Sequence, residues 1–419
     1  MKRSKFLSIL SLLFALLLIA AACAEDDDGG NGTGDGDGGE SAADVCDADE
    51  FGCVEVAEGD PITIGTLLVI SGENASLGQD SQNGVVIAAN MANNEVAGHP
   101  IEFDHQDDLC AAEGGQSGAQ ALAANESIVG VIGTSCSSAG EPAAQILSES
   151  GIAIISPSNT APSLTAPETH QPFYLRTAHN DEIQGAAMAD FAASELQAAS
   201  AATIHDGSPY AEGLANVFAE QFQEAGGEIT AQEAVQVGDR DMRPVLTSIA
   251  ADTPDLIYFP VFVAEGGAIT SQAREITELG ETDLAGADGM LTDDWIQAAG
   301  ARNAEGVYLS GPDLEFSGGF YQDEFLPAYE EDFGKTTSVF HAHAFDATNI
   351  LIDAIEAVAI EEEGTTFIPR TALKDEMFAT SGYEGIIGEL SCDENGDCNP
   401  EASISVSVVE NGEFSRIWP

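Results

Sequence analysis

Between Pro61 and Ala287, short β-rich apolar runs alternate with segments whose apolar residues recur at helical spacing, and this alternation constrains the fold more than any other feature. The first run is Pro61-Ile-Thr-Ile-Gly-Thr-Leu-Leu-Val-Ile70. The segment 79–94 follows it, with Val85, Val86, Ile87, Ala88, Ala89, Met91 and Ala92 forming an apolar stripe. Further strands are expected at 101–105, 129–133 and 152–155, with helices at 116–124 and 141–150. Strands separated by whole helices must run parallel, because a parallel pair needs a long crossover. A second series follows Phe173-Tyr-Leu-Arg-Thr177, with helices at 182–196, 210–225, 242–251 and 265–279 and strands at 201–205, 228–230, 255–259 and 283–287. One core stops growing near ~250–300 residues, so two series in 419 residues call for two sheets. Helices return at 319–333 and 339–359, and strands between 386 and 417 close the chain. The fold class is therefore α/β, with two doubly wound parallel-sheet lobes facing across a cleft. Ligands of such sheets lie beyond the carboxyl ends of the strands, where helix N-termini point.

The N-terminus reads differently. Lys2, Arg3 and Lys5 precede an uninterrupted apolar run from Phe6 to Ala22, and Ala20-Ala21-Ala22-Cys23 leads at once into Glu25-Asp26-Asp27-Asp28. A basic start, an apolar stretch and small residues before a cut site make a secretory signal. A Cys directly after the cut resembles the lipobox of bacterial lipoproteins, where the thiol is lipidated and the chain is cleaved before it. The apolar run is slightly short of the ~20 residues a membrane span needs, and no later stretch reaches that length. Residues 1–22 are thus read as a signal peptide, Cys23 as the lipidation site and 23–60 as an acidic, Gly-rich tether. The body is expected at the extracytoplasmic face of the cell membrane, held by lipid.

Charge removes whole classes of partner. The chain has 12 Lys and Arg against 72 Asp and Glu; three of the bases fall in the first five residues, so nine remain after the signal. Such a surface repels nucleic-acid phosphates and anionic lipid. A saline habitat would screen its self-repulsion. Of seven Cys, a lipidated Cys23 leaves six, an even number suited to an oxidising compartment. Closeness in sequence suggests Cys46 with Cys53 and Cys392 with Cys398, which leaves Cys110 with Cys136. No Cys pair has CxxC spacing and the His residues are scattered, so no metal and no cofactor is expected.

Specific segments carry a resemblance. Ile64-Gly-Thr-Leu-Leu-Val-Ile-Ser-Gly72 with Gly78-Gln79 and Asn83-Gly84, the stretch Ile132-Gly133 to Ser138, Ile155-Ser-Pro-Ser-Asn-Thr-Ala-Pro-Ser-Leu-Thr165, His205-Asp-Gly-Ser-Pro-Tyr-Ala-Glu-Gly213 and Cys392-Asp-Glu-Asn-Gly-Asp397 occur in order. They resemble type I periplasmic binding proteins, most closely the branched-chain amino acid-binding components of ABC importers, from about residue 62 to the C-terminus. The resemblance implies two lobes joined by a three-crossover hinge, one built from 61–177 and 312–385, the other from 178–311 and 386–419. It also implies a cleft that grips an amino acid from both sides. Ser137, at a strand end entering a helix, matches the carboxylate-binding Ser; its alternative role is a helix cap. Thr160 would donate to the carboxylate, and the Ser158 carbonyl would accept from the ammonium. Tyr210 and Asp288 would complete the ammonium end, while Leu77 and Phe262 fall at side-chain positions. Leu77 and Phe262 read equally well as core residues; some relatives carry Tyr in place of Leu77, so leucine-like ligands are not assured, and Ala211 in place of the usual Gly is a small departure. The Cys110–Cys136 bridge would hold the Ser137 loop, as in related proteins.

Enzyme signatures are missing from the sequence. Gly133-Thr-Ser-Cys-Ser137 lacks the second Gly of a nucleophile elbow, and His341-Ala-His343 lacks the H-E-x-x-H form. Asp393-Glu-Asn-Gly-Asp397 lacks the closing Glu of a calcium loop and reads as a disulfide-flanked turn. The functional expectation is a monomeric, non-enzymatic solute-binding lipoprotein that delivers an amino acid, branched-chain or similar, or a small amide to an ABC permease. The alternative is a ligand-sensing ectodomain for a separate signalling partner.

Overall fold

A computed structural model describes residues 41–419. The signal peptide, Cys23 and the first part of the expected tether lie outside the described residues.

Two sheets organise the body. The first has six strands in the spatial order Glu95–Val96, His99–Asp107, Ile62–Leu68, Ile128–Gly133, Ala153–Ser156 and Tyr174–Arg176. All but the two-residue edge strand pair in parallel. The second has seven, in the order Glu413–Trp418, Ile404–Glu410, Tyr308–Pro312, Asp283–Gly286, Leu256–Tyr258, Ser200–His205 and Glu228–Ala234. Its last five are parallel, and the C-terminal hairpin adds an antiparallel edge. The central strands Ile128–Gly133 and Ala153–Ser156 are buried throughout, as continuous apolar runs covered by helices on both faces should be. Local chemistry sets the helix starts: Ser208 caps the helix Pro209–Glu224 by accepting from the Ala211 N–H, with Pro209 in its first turn.

The chain passes between the lobes three times, after Arg176, after Pro312 and before Ile404. Helices from the middle passage return to the first lobe. There His341–Val358 lies against Ala75–Met91, so close that a Cβ on Gly84 would stand 2.1 Å from the His341 carbonyl oxygen.

Two expectations need correction. Residues 41–60 are not tether. Ser41 and Asp44 form a capping box for a helix Ala42–Ala48, the Cys46–Cys53 disulfide staples it, and Cys53–Ala57 pairs antiparallel with Thr365–Pro369 in a small three-stranded sheet. Backbone pairing with residues some 310 positions away is invisible to local composition. The second correction concerns the lobe boundary expected at 385. Leu390 and Cys398 are buried in the first lobe's core beside Ile62, Ile155 and Leu175, and Arg176 pairs with Asp397 as a parallel bridge. The last crossing therefore follows Asn399.

The three cysteine pairs are joined as expected: Cys46–Cys53, Cys110–Cys136 and Cys392–Cys398. Asp393 folds the last loop by accepting from the Asn395 and Asp397 N–H groups, a turn and not an ion loop.

Beside that turn, Arg176 is wholly buried. It donates to Asp397 (2.6 Å), to Thr165 Oγ1 (2.7 Å) and to the Ala161 carbonyl (2.9 Å). Removing one partner of a buried, hydrogen-bonded pair strands the other, at a cost of ~3–5 kcal/mol. Asp397→Ala should lower unfolding free energy by about that amount in urea titrations. A loss within ~1 kcal/mol would mean that the pair is dispensable.

Candidate ligand site

The first lobe contributes a wall of small hydroxyls. The strand Ile128–Gly133 runs into Thr134, Ser135 and Cys136, and the helix Ser137–Glu149 starts there. The Cys110–Cys136 bridge pins this junction, and Asp108 accepts from the Ser135 N–H (2.6 Å) and the Cys110 N–H (2.7 Å). Burial pushes the Asp108 carboxyl up to about 7 against the pull of those N–H groups. Ser137 is buried, and its hydroxyl oxygen accepts from the Ala161 N–H (3.2 Å), which leaves the hydroxyl proton free to donate. Ser158 is buried too, with its hydroxyl donating to the Ser135 carbonyl (3.0 Å) and its N–H to the Ser156 hydroxyl (3.2 Å). The hydroxyl of Thr160 is buried without a protein partner.

The second lobe answers with acids and rings. Asp288 follows the strand Asp283–Gly286 and accepts on Oδ1 from Gln184 (2.8 Å) and from the Tyr210 hydroxyl (3.0 Å), which itself accepts from the Gly289 N–H (3.2 Å). Burial raises the Asp288 carboxyl; the charge of His179 and the donors Gln184 and Tyr210 oppose it. Tyr210 packs on Phe262 with ring centroids 5.1 Å apart. Leu77 belongs to an apolar cluster shared with Val69 and Cys136 of the first lobe and Tyr210 of the second. Ser137, Ser158 and Thr160 thus form one wall, and Tyr210, Phe262 and Asp288 the other.

Sequence reasoning missed the residues that join the walls. Asp181 donates its N–H to the Thr160 carbonyl (3.0 Å), and its carboxyl is fully buried with the Thr160 hydroxyl facing it. Burial and the nearby Asp288 hold it well above the carboxylate range. Gln184 bridges Asp288 to His179; burial moves the His179 imidazole below its usual range, against the pull of Asp288 and Gln184. The available signal was positional: Thr177 to Gln184 is a polar burst directly after a strand end, the same logic that selected Ser137.

His179, Asp181 and Asp288 each place a ligand atom within 4.8 Å of the others, one grouping among the described residues at which a small cation could sit. A hard metal ion takes six or more oxygens, and this corner offers two carboxylates and one imidazole nitrogen. An ammonium needs only three acceptors. The other candidate histidine, His341, is buried between Asp80 (2.8 Å) and Tyr321 (2.7 Å) as a structural link.

A sequence profile for periplasmic binding proteins matches residues 61–413. The chain belongs to the periplasmic binding protein family. It is 26% identical over 80% of its length to the Leu/Ile/Val-binding protein homolog 3 of Brucella melitensis, covering 88% of that protein. An amino acid binding protein of Pseudomonas aeruginosa is 30% identical over 59% of this chain, and the match spans 66% of that relative, just under two thirds. Among solved structures, the leucine binding protein LivK of Thermotoga maritima superposes with a TM-score of 0.76 at 27% identity, over 85% of this chain and 97% of that one. The isoleucine complex of LivJ from Streptococcus pneumoniae gives 0.73 at 25% identity, over 86% and 100%.

This periplasmic binding protein is closed. Ser76 Oγ meets Thr292 Oγ1 across the lobes at 3.1 Å, and Arg240–Glu73 (2.6 Å) and Lys335–Asp293 (3.2 Å) flank that contact.

Asp346 is a second buried carboxyl pushed up to about 7, accepting from the Ile386 and Ile387 N–H groups. In the unfolded chain both it and Asp108 titrate near ~4, so between about pH 4 and 7 the folded state binds more protons. Stability should then fall as pH rises through that window. Urea midpoints at about pH 5 and about pH 8 should differ in that sense, and Asp346→Asn should shrink the difference. An unchanged pH slope in the variant would remove Asp346 as a cause.

Proposed function

We propose that this protein captures an α-amino acid, branched-chain or similar, in the interlobe cleft and delivers it to the permease of an ABC importer. The polarity of the cleft is the observation that supports this reading. Buried hydroxyls and the N-terminus of the helix Ser137–Glu149 on one wall suit a carboxylate, while Asp288 and Asp181 on the other suit an ammonium. The Ser158 carbonyl is the first-lobe acceptor assigned to the ammonium. The one buried Arg near the site, Arg176, is committed to Asp397, so the carboxylate is held by hydrogen bonds alone. We assign Leu77 and Phe262 to the side-chain end. Relatives named for Leu, Ile and Val point the same way.

Function follows from closure. A zwitterion bridging both walls binds the closed form better than the open one and shifts the population toward it. The permease then receives a closed, loaded protein. We assign the protein to the extracytoplasmic face, with Cys23 acylated and the residues after it serving as a leash.

Calorimetry against the twenty amino acids, simple amides and urea tests the reading, with at least one aliphatic amino acid expected to bind. Asp288→Asn keeps the shape and removes the charge, and should cost roughly 2–4 kcal/mol of affinity. Thr160→Val should cost ~1–2 kcal/mol, because its backbone N–H still donates. Unaltered binding in Asp288→Asn would exclude an ammonium at that end. Separately, Cys23→Ser should release the protein from membranes or block processing, and an unmodified Cys23 by intact mass would exclude the anchor.

A further inference from the structure

We propose that a cavity at the junction of the lobes, separate from the cleft site, binds a small organic cation, an ammonium on an apolar body, and that its occupation favours the closed form. The proposal goes beyond the reading above and does not depend on what the cleft holds. The cavity has a volume of about 310 Å³, at the small end of the ~300–1,000 Å³ range of ligand pockets. Three parts of the chain wall it. The first lobe contributes 335–339, the loop before the helix His341–Val358. The second lobe contributes Leu291 and Asp293 together with the strands Ile404–Glu410 and Glu413–Trp418, and the passage from Pro312 to Glu315 runs between. None of Ser137, Thr160, Tyr210 and Asp288 is among its lining residues.

The lining selects for charge. Leu291, Leu314, Val339 and Phe414 supply apolar surface, and Ser338, Ser405 and Ser407 add hydroxyls. Three acids face two bases. Arg416 spans Asp313 (2.9 Å) and Glu315 (3.0 Å), and Lys335 holds Asp293 (3.2 Å). One guanidinium shared by two carboxylates leaves one negative charge in excess. An anion would meet that excess and the field of a chain of formal charge −60, whereas a cation is drawn by both.

The cavity is also coupled to the cleft. Lys335 and Asp293 lie on opposite lobes, so opening pulls the lining apart. Leu291 packs beside Asp288: a Cβ on Gly311 would approach Leu291 Cδ1 to 2.4 Å and Asp288 Cβ to 3.4 Å. On the first lobe Val339 lines the cavity, and its neighbour Phe340 stacks on His179 with centroids 6.1 Å apart. A cation that needs both lobes together binds the closed form better than the open one. By linkage, it and the cleft ligand then tighten each other's binding.

The test uses the full-length protein and three probes that share one body: phenethylammonium, phenethyl alcohol and hydrocinnamate. Calorimetry is run on the parent and on two variants that fill the cavity, Ser407→Trp and Leu314→Trp, each checked for a native melting transition. The parent should bind phenethylammonium saturably and at least roughly tenfold more tightly than the alcohol, with hydrocinnamate weakest. Either Trp variant should weaken phenethylammonium by roughly tenfold or more, and Glu315→Gln by less, because that acid is exposed. With the amino acid selected by the calorimetric screen present at saturation, phenethylammonium should bind at least about fivefold more tightly. No binding to the parent, equal binding of the three probes, or unchanged binding in both Trp variants overturns the site. Competition between phenethylammonium and the selected amino acid places the cation in the cleft and overturns it too. Equal affinity with and without that amino acid overturns the coupling to closure. If the screen selects no amino acid, the amino-acid reading fails, and the Trp variants alone decide this proposal.

Discussion

The buried pair between Arg176 and Asp397 holds the rest of the architecture in register. Arg176 ends the last strand of the first sheet, and Asp397 lies on the segment that precedes the final crossing into the second lobe. The pair ties the first interlobe passage to the third, and backbone bonds from Arg176 to the Gly396 carbonyl and from Cys398 back to Arg176 run alongside it. Gly396 is required there. It has φ +82°, and a Cβ would stand 2.1 Å from the Tyr174 carbonyl oxygen. The Cys392–Cys398 disulfide closes the same loop. A guanidinium so deeply buried could have served as a carboxylate clamp, but both of its terminal nitrogens are taken by Asp397, Thr165 and Ala161, and only Nε is left without a partner. The cleft is consequently anionic on one wall and only dipolar on the other.

That asymmetry matters because the whole surface is acidic. Both lobes carry an excess of carboxylates, and bringing them together opposes closure by like-charge repulsion. Only nine bases follow the signal, and two of them, Arg240 and Lys335, are spent on ion pairs to the opposite lobe. Pairs this exposed are individually weak and screened by salt. Their placement still answers the repulsion where it acts, at the mouth of the cleft.

How far the sequence carried follows from the range of the interactions involved. The parallel sheets were legible because each strand–helix unit shows its period within some 30 residues, as at Ile62–Leu68 followed by Ala75–Met91. Disulfides 46–53 and 392–398 were legible because their partners are close in sequence. The strand Cys53–Ala57 was not, since its register is set by Thr365–Pro369. In the site, Ser137, Thr160 and Tyr210 lie at strand ends or helix starts within matched segments, and Asp288 lies just past the strand Asp283–Gly286. Asp181 and Gln184 lie in the first turn of the helix Asp181–Ser194, directly after a crossing between lobes, where what a side chain faces depends on how the two lobes meet.

Closure also depends on how well its first-lobe half is prepared. Asp80 is wholly buried; burial would raise its carboxyl, but His341, the Thr337 N–H and the Tyr329 hydroxyl outweigh this and hold it below the usual range. The ionised Asp80 thus fixes the loop that carries Lys335 and Thr337 before any ligand arrives. Thr337 in turn donates to the Ser76 carbonyl (3.0 Å), and Ser76 is the residue that meets Thr292 across the cleft. A chain of satisfied hydrogen bonds therefore runs from a buried carboxylate to the seam. Side chains already ordered lose little entropy when the lobes meet, so more of the ligand's bridging energy remains to favour the closed form. The second lobe has its own ordered half in Tyr210, Gln184 and Asp288. With both halves ordered, a ligand that bridges the lobes would need to supply only its charge and hydrogen bonds.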